Sequence, residues 1–265
     1  MTELRRVEPA LRAARDAGRK LLVPYVTGGL GDDWCDVVAA VAAAGADAIE
    51  VGIPFSDPVM DGPTIQEASV RALAHGATPA SVVSDLGEVD AGVPLVVMTY
   101  YNLVFRGGHR RFARSLVDDG VAGAIVPDLP LDEFADWARA ADDAAVETIL
   151  LAAPTTPDDR LAEITARCRG FVYGVGLMGV TGERVSLSAS AATMAKRLKA
   201  VTDLPVLIGV GVSTPDQAVE VCGEADGVIV GSALVRRLLD GGGPEAAAAF
   251  VGELRAALDG MATSG

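Results

Sequence analysis

Glu50 stands near the end of the apolar run Ala46-Asp47-Ala48-Ile49-Glu50-Val51. Asp61 follows in the loop Gly52-Ile53-Pro54-Phe55-Ser56-Asp57-Pro58-Val59-Met60-Asp61-Gly62-Pro63. The run reads as a short buried strand. A Glu ending such a strand lies at its carboxyl edge, where parallel sheets and barrels keep their chemistry. Apolar walls raise the pKa of a carboxyl by withdrawing water, so that it can exchange protons near neutral pH. The competing role for Glu50 is a rim ion pair. Asp61 is the second candidate, presented by a loop that Pro54, Pro58 and Pro63 stiffen. Its competing role is to cap the helix that starts near Thr64. Asp57, beside Ser56, reads as a turn former.

A second set of residues suits an anion. Gly174, Gly176, Gly179 and Gly182 surround Thr181, Gly209 and Gly211 follow another strand, and Gly231-Ser232 follows the last. In barrels, the loops after strands seven and eight and a short helix N-terminus bind phosphate through backbone N–H groups. The competing reading is a set of tight turns that need glycine. No glycine cluster leads into a Lys-Ser/Thr pair, which argues against a nucleotide P-loop. Tyr25, Tyr100 and Tyr173 each fall at a strand end, where they either wall one aromatic pocket or pack the rim. His75 and His109 are the only histidines and sit in no metal or triad motif. No metal site is expected, and carboxylates, tyrosines and backbone amides are left to do the chemistry.

These residues need a scaffold, and the order of elements supplies one. Leu4 to Ala17 has helical spacing and suits a lead-in helix covering a barrel bottom. Strand-like runs then recur at 21–27, 46–52, 94–100, 123–127, 147–153, 171–175, 205–210 and 227–230. Helical segments separate them at 33–44, 64–75, 79–86, 109–119, 131–143, up to 167, at 190–200 and at 215–222, with a tail to 258. Eight β-α alternations without a composition break predict one (β/α)8 TIM-barrel domain over residues 1–265, preceded by the extra helix. A doubly wound open sheet shares much of the pattern. The chain has 265 residues, half of them hydrophobic and 5% aromatic, enough for a large aliphatic core. A net charge of −14 argues against nucleic-acid or anionic-membrane partners. Cys35, Cys168 and Cys222 are far apart, as in the reduced thiols of a cytoplasmic protein. Neither a signal-type leader nor a membrane-spanning apolar run is read.

With these motifs in order, the chain resembles the tryptophan synthase alpha subunit family along nearly its whole length. The resemblance rests on Glu50 to Pro58 and Asp61-Gly62-Pro63-Thr64-Ile65-Gln66. It also rests on Pro24-Tyr25-Val26-Thr27, Tyr101-Asn102-Leu103-Val104-Phe105, Asp128-Leu129-Pro130, Gly179-Val180-Thr181-Gly182, Gly209-Val210-Gly211 and Gly231-Ser232-Ala233. It implies a (β/α)8 lyase that splits indole-3-glycerol phosphate into indole and glyceraldehyde 3-phosphate by a retro-aldol reaction in tryptophan biosynthesis, with no cofactor of its own. On this resemblance Glu50 is the acid/base residue and Asp61 holds the indole N–H. Tyr25, Ile65, Tyr100, Tyr173 and Thr181 contact the substrate, and Gly182, Gly211, Gly231 and Ser232 hold its phosphate. It further implies a beta-subunit partner carrying pyridoxal phosphate, met through Pro54, Phe55, Asp57, Asn102 and Pro130. Two stretches depart from the family pattern. Gly174 to Gly179 lacks the usual Ser before Gly-Val-Thr-Gly, and Thr27 to Gly31 replaces the usual turn after the first strand. Two alternatives stay open: a free-standing lyase supplying indole to a specialised pathway, and a mainly activating subunit.

Overall fold

Every residue of Leu21–Thr27, Val121–Ile125 and Gly227–Val230 is buried. Strands with no polar face must be covered on both sides, and a parallel barrel wrapped in helices does this. The computed structural model describes residues 4–176 and 187–262. The chain runs α1 (Val7–Asp16), β1 (Leu21–Thr27), α2 (Trp34–Ala43), β2 (Ile49–Gly52), α3 (Pro63–Ala74), α4 (Pro79–Leu86), β3 (Leu95–Met98), α5 (Tyr101–Gly107), α6 (His109–Asp118), β4 (Val121–Ile125) and a 3-10 turn (Leu131–Glu133). It continues through α7 (Ala135–Ala144), β5 (Glu147–Ala152), α8 (Asp158–Arg167), β6 (Val172–Val175), α9 (Leu187–Lys199), β7 (Val206–Gly209), α10 (Pro215–Cys222), β8 (Gly227–Val230), α11 (Ser232–Leu239) and α12 (Gly243–Ala262). The strands follow one another in sequence order around a closed barrel. Parallel pairing of β1 with β8, from Leu21 with Gly227 to Pro24 with Val230, rules out the open sheet.

The starts of β2 and β4 and the presence of α5 differ from expectation, each for a local reason. β2 starts at Ile49 rather than Ala46, because the Asp47 side chain binds the Leu22 N–H at 2.8 Å and so occupies the approach to the strand. β4 starts at Val121, two residues before Gly123. That glycine is a packing gap, not a turn: a Cβ there would lie 2.8 Å from Ile149 Cδ1. Helix α5 was not legible, since its first-turn Tyr101 N–H is capped by Asp128, which lies beyond β4, at 2.8 Å.

Two layers of apolar packing hold the barrel. Leu22, Val26, Ile49, Val51, Val97 and their like face outward into the helices. Leu21, Val23, Ala48, Val96, Ile149, Phe171 and Leu207 fill the interior, together with Val7 and Leu11 of α1. The expected lead-in helix is therefore a plug at the amino-terminal end of the barrel. Carboxylates fix that end. Glu147, at the start of β5, accepts the first-turn N–H groups of Val7 at 2.6 Å and Glu8 at 2.9 Å. This is an N-cap supplied from another element. Asp226 accepts the Val206 N–H at 2.9 Å and pairs with Lys199, while Asp47 pairs with Arg19 and Arg255.

Replacing Glu147 by Ala removes that cap and is expected to lower unfolding free energy by about 1–3 kcal/mol. Denaturant melts and hydrogen exchange at the Val7 and Glu8 amides check this. Unchanged exchange at those two amides contradicts the capping role.

Candidate active site

At the opposite, carboxyl end the inward positions change character. Period-two alternation carries the barrel interior upward from Val23 to Tyr25, Ala48 to Glu50, Val96 to Met98, Ile149 to Leu151, Phe171 to Tyr173 and Leu207 to Gly209. These upper residues, with Ile229, floor a cavity of about 250 Å³. Its walls come from the β2–α3 loop (Met60, Asp61, Gly62), Ile65 of α3, Pro127, Val175, Gly211, and Gly231-Ser232 at the start of α11. Glycine makes room for the two aromatic walls. A Cβ at Gly52 would overlap the Tyr25 hydroxyl, and one at Gly209 would lie 2.6 Å from Tyr173 Cε2.

Glu50 is 1% exposed, and its Oε2 has no hydrogen-bond partner. It forms no ion pair among the described residues. Desolvation, reinforced by the charge of Asp61, pushes its pKa up to about 8, so the carboxyl is mainly protonated at neutral pH. Asp61 is half-buried, and desolvation raises its pKa as well, but a hydrogen bond from the Tyr100 hydroxyl opposes the rise. The two environments therefore split the pair: Asp61 ionises first and Glu50 keeps its proton. Desolvation also holds Tyr25 and Tyr173 in the phenol form, with Asp61 and Glu50 respectively as the next largest influence.

Two of the three tyrosines, Tyr25 and Tyr173, line the cavity. Tyr100 does not; it braces the loop from behind. Its hydroxyl accepts the Met60 N–H at 3.0 Å, and its ring stacks on Phe55 with centroids 4.9 Å apart. Asp61 does not cap α3, whose N-cap is Gly62 and whose first turn holds Pro63. Among the described residues no Lys or Arg lines the cavity. What it offers an anion is the α11 N-terminus, where Gly231 occupies the N-cap without a capping side chain, beside Gly211 at φ 76°. Thr181, Gly179 and Gly182 lie outside the described residues. Among the described residues, no group of three His, Cys, Asp or Glu is placed to hold a metal ion.

Sequence reasoning missed the apolar floor of Met98, Leu151 and Ile229. Their signal is parity, since each is two residues beyond a barrel-interior position or at the last inward place of its strand. Of the positions expected to meet a partner, Asp57, Asn102 and Pro130 are exposed and Phe55 is partly so, but Pro54 is buried beneath the loop and presents no surface. Val59, Met60 and Phe105 are the large apolar side chains exposed near them, at 80%, 58% and 63%. Among the described residues no helix is long and apolar enough to cross a membrane.

The closed eight-stranded parallel barrel, with its cavity at the carboxyl end, belongs to the (β/α)8 TIM-barrel class. Within that class the chain is a member of the tryptophan synthase alpha chain family, whose model matches residues 11–258. It is 46% identical over 258 residues to the tryptophan synthase alpha chain of Streptomyces coelicolor, covering 94% of this chain and 93% of that one. A chain in a crystal structure of Mycobacterium tuberculosis tryptophan synthase superposes with TM-score 0.88 at 40% identity, covering 97% of this chain and 99% of that one. The tryptophan synthase alpha subunit of Legionella pneumophila superposes with TM-score 0.86 at 31% identity, with coverage of 97% and 99%. Nothing in these matches favours a free-standing lyase or a mainly activating subunit.

The raised pKa of Glu50 carries a stability consequence. An unfolded Glu ionises near its ordinary pKa of 4.5, while the folded one holds its proton to about 8. Stability from this group therefore falls as pH rises from about 4.5 to about 8. Glu50→Gln is expected to raise unfolding free energy at pH 9 by on the order of 1–3 kcal/mol, and by much less at pH 5. Melts at the two pH values check this; an equal effect at both contradicts uncompensated burial.

Proposed function

We propose that this chain is the alpha half of a tryptophan synthase and cleaves indole-3-glycerol phosphate to indole and glyceraldehyde 3-phosphate. Family membership supports this reading, and one observation on the chain itself carries it: a buried Glu50, with no cationic partner among the described residues, shares a cavity with Asp61. The reaction needs a proton placed on indole C3 and another taken from the hydroxyl of the adjacent carbon. Protonated Glu50 delivers the first. The Asp61 carboxylate accepts the indole N–H and stabilises positive charge as C3 becomes tetrahedral. Glu50, now a carboxylate, takes the hydroxyl proton. The carbon–carbon bond then breaks, its electron pair restores the aromatic ring, and the hydroxyl carbon leaves as the aldehyde. Glu50 ends as it began, so the step balances without water.

The apolar floor of Met98, Leu151 and Ile229 suits the indole ring, between the faces of Tyr25 and Tyr173. Gly211, Gly231 and Ser232, with Thr181 and Gly182 from the family motif, take the phosphate end. The chain carries no organic cofactor of its own in this reading. A beta subunit, holding pyridoxal phosphate and consuming the indole, docks on the face that exposes Phe55, Asp57, Val59, Asn102, Phe105 and Pro130. The protein works in the cytoplasm.

Glu50→Gln is expected to cut indole release at least 100-fold with an unchanged circular dichroism spectrum. In the unmodified protein kcat/KM should fall as pH rises through about 8, where Glu50 loses its proton. Steady-state indole assays across pH 6 to 10 measure both effects, and normal turnover by the variant sinks the assignment.

A further inference from the structure

The turn Thr27-Gly28-Gly29-Leu30-Gly31 between β1 and α2, where the sequence departs from the family pattern, takes no part in the chemistry above. Two of its glycines let it lie against Val82 of α4 and Ala77 just before that helix. A Cβ at Gly28 would stand 2.5 Å from Val82 Cγ1, and one at Gly29, whose φ is 72°, would stand 2.5 Å from the Ala77 Cβ. Between the turn and the C-terminal end of α11 lies a second cavity, of about 160 Å³. Val26, Leu30, Trp34, Val37 and Leu238 give it an apolar wall, and two side chains of opposite charge, Asp33 and Arg71, complete it. The Asp33 carboxylate caps no N–H of α2 and pairs with no cation among the described residues. Its oxygens stand 3.1 and 3.6 Å from where side chains at Gly31 and Gly243 would begin, and both glycines line the cavity. Arg71 crosses from α3 to α11 and donates to the Leu239 carbonyl at 3.0 Å. Its contact with Glu67 is 3.5 Å, longer than the 2.8 Å at which Arg236 holds the same carboxylate, so its charge is loosely matched. Thr27 adds a hydroxyl that is wholly buried, adjoins the Tyr25 phenol and forms no hydrogen bond of good geometry among the described residues.

Unmatched charges of both signs beside an apolar wall are complementary to a small zwitterion with an apolar tail. The volume corresponds to about five waters at roughly 30 Å³ each, room for a solute of about eight heavy atoms and too little for a nucleotide. We propose that this cavity binds a free α-amino acid with a short aliphatic side chain: its carboxylate meets Arg71, its ammonium meets Asp33, and its side chain lies on Trp34 and Leu30. The site is separate from the active cavity, and the assignment does not depend on the lyase reading.

The test separates the two charges. The full chain, labelled with nitrogen-15, is titrated with L-valine, with isobutylamine, which lacks the carboxylate, and with 3-methylbutanoate, which lacks the ammonium. Valine should give saturable shifts at the Trp34 indole N–H and the Gly31, Gly241 and Gly243 amides. The two fragments should bind at least about tenfold more weakly, since each leaves one charged side chain unmatched. Asp33→Asn, which breaks no hydrogen bond of the α2 cap, should weaken valine about tenfold and leave 3-methylbutanoate unchanged, with the melting temperature retained. Absence of saturable shifts at these four groups up to about 20 mM valine overturns the proposal. Equal binding of all three probes makes the cavity a plain apolar slot and overturns it too, as do shifts confined to Tyr25 and Gly231 of the active cavity.

Discussion

A carboxyl group buried without a cationic partner among the described residues is the constraint on which this structure turns. Glu50 stands in the uppermost filled layer of the barrel, nearly inaccessible to solvent, and among the described residues no Lys or Arg lines its cavity. Charging it there is expensive, so the group stays neutral where an exposed glutamate is ionised. The carboxylates at the other end of the barrel meet a different fate. Glu147 begins β5, and Asp47 and Asp226 lie just before β2 and β8; each accepts backbone N–H groups and faces Arg or Lys. Partnered carboxylates stitch one end together while an unpartnered one is held protonated at the other. That division follows the general separation of stability and chemistry between the two faces of such barrels.

Maintaining that environment requires bulk, and bulk requires space. The Tyr25 and Tyr173 rings are too large for a layer already crossed by eight strands unless neighbouring positions give up their side chains. Gly52 and Gly209 do so, one for each ring. Neither glycine has a left-handed φ, so their identity comes from volume rather than backbone conformation. Gly211 and Gly231 differ: the first adopts positive φ, and the second leaves the α11 terminus open toward the cavity. Glycines that look alike in the chain thus serve aromatic packing in some places and anion access in others.

This distinction marks the limit of what was legible in the chain. The alternation of strands and helices, the lead-in helix and the place of Glu50 could all be read, because burial on both faces and strand-end position leave direct traces. Closure of β1 on β8 could not be separated from an open sheet, since the pairing is between the most distant strands. Helix α5 was hidden because its cap, Asp128, comes from beyond β4. The sequence leaves Tyr100 open between pocket wall and rim packing, because strand-end tyrosines look equivalent in sequence. Only the path of the β2–α3 loop turns its hydroxyl to Met60 and Asp61. Pro54 fails as a surface residue for the same reason, being folded under the loop it helps to shape.

That loop joins the site to the surface in a single mechanical unit. Phe55 stacks on Tyr100; Tyr100 accepts the Met60 N–H and hydrogen-bonds Asp61; and Gln66 of α3 donates to the Asp61 carbonyl at 2.9 Å. Val59 and Met60, on the same few residues, project into solvent. The exposed side chains and Asp61 thus share one short segment of the loop. Glu50 instead sits within β2, which pairs with β3 from Ile49 to Gly52 and with β1 from Glu50 to Gly52. The proton-transfer group is fixed by the barrel, while the charge-stabilising group rides on a loop. The Tyr100 hydroxyl, which accepts the Met60 N–H, ties that loop to the barrel rim.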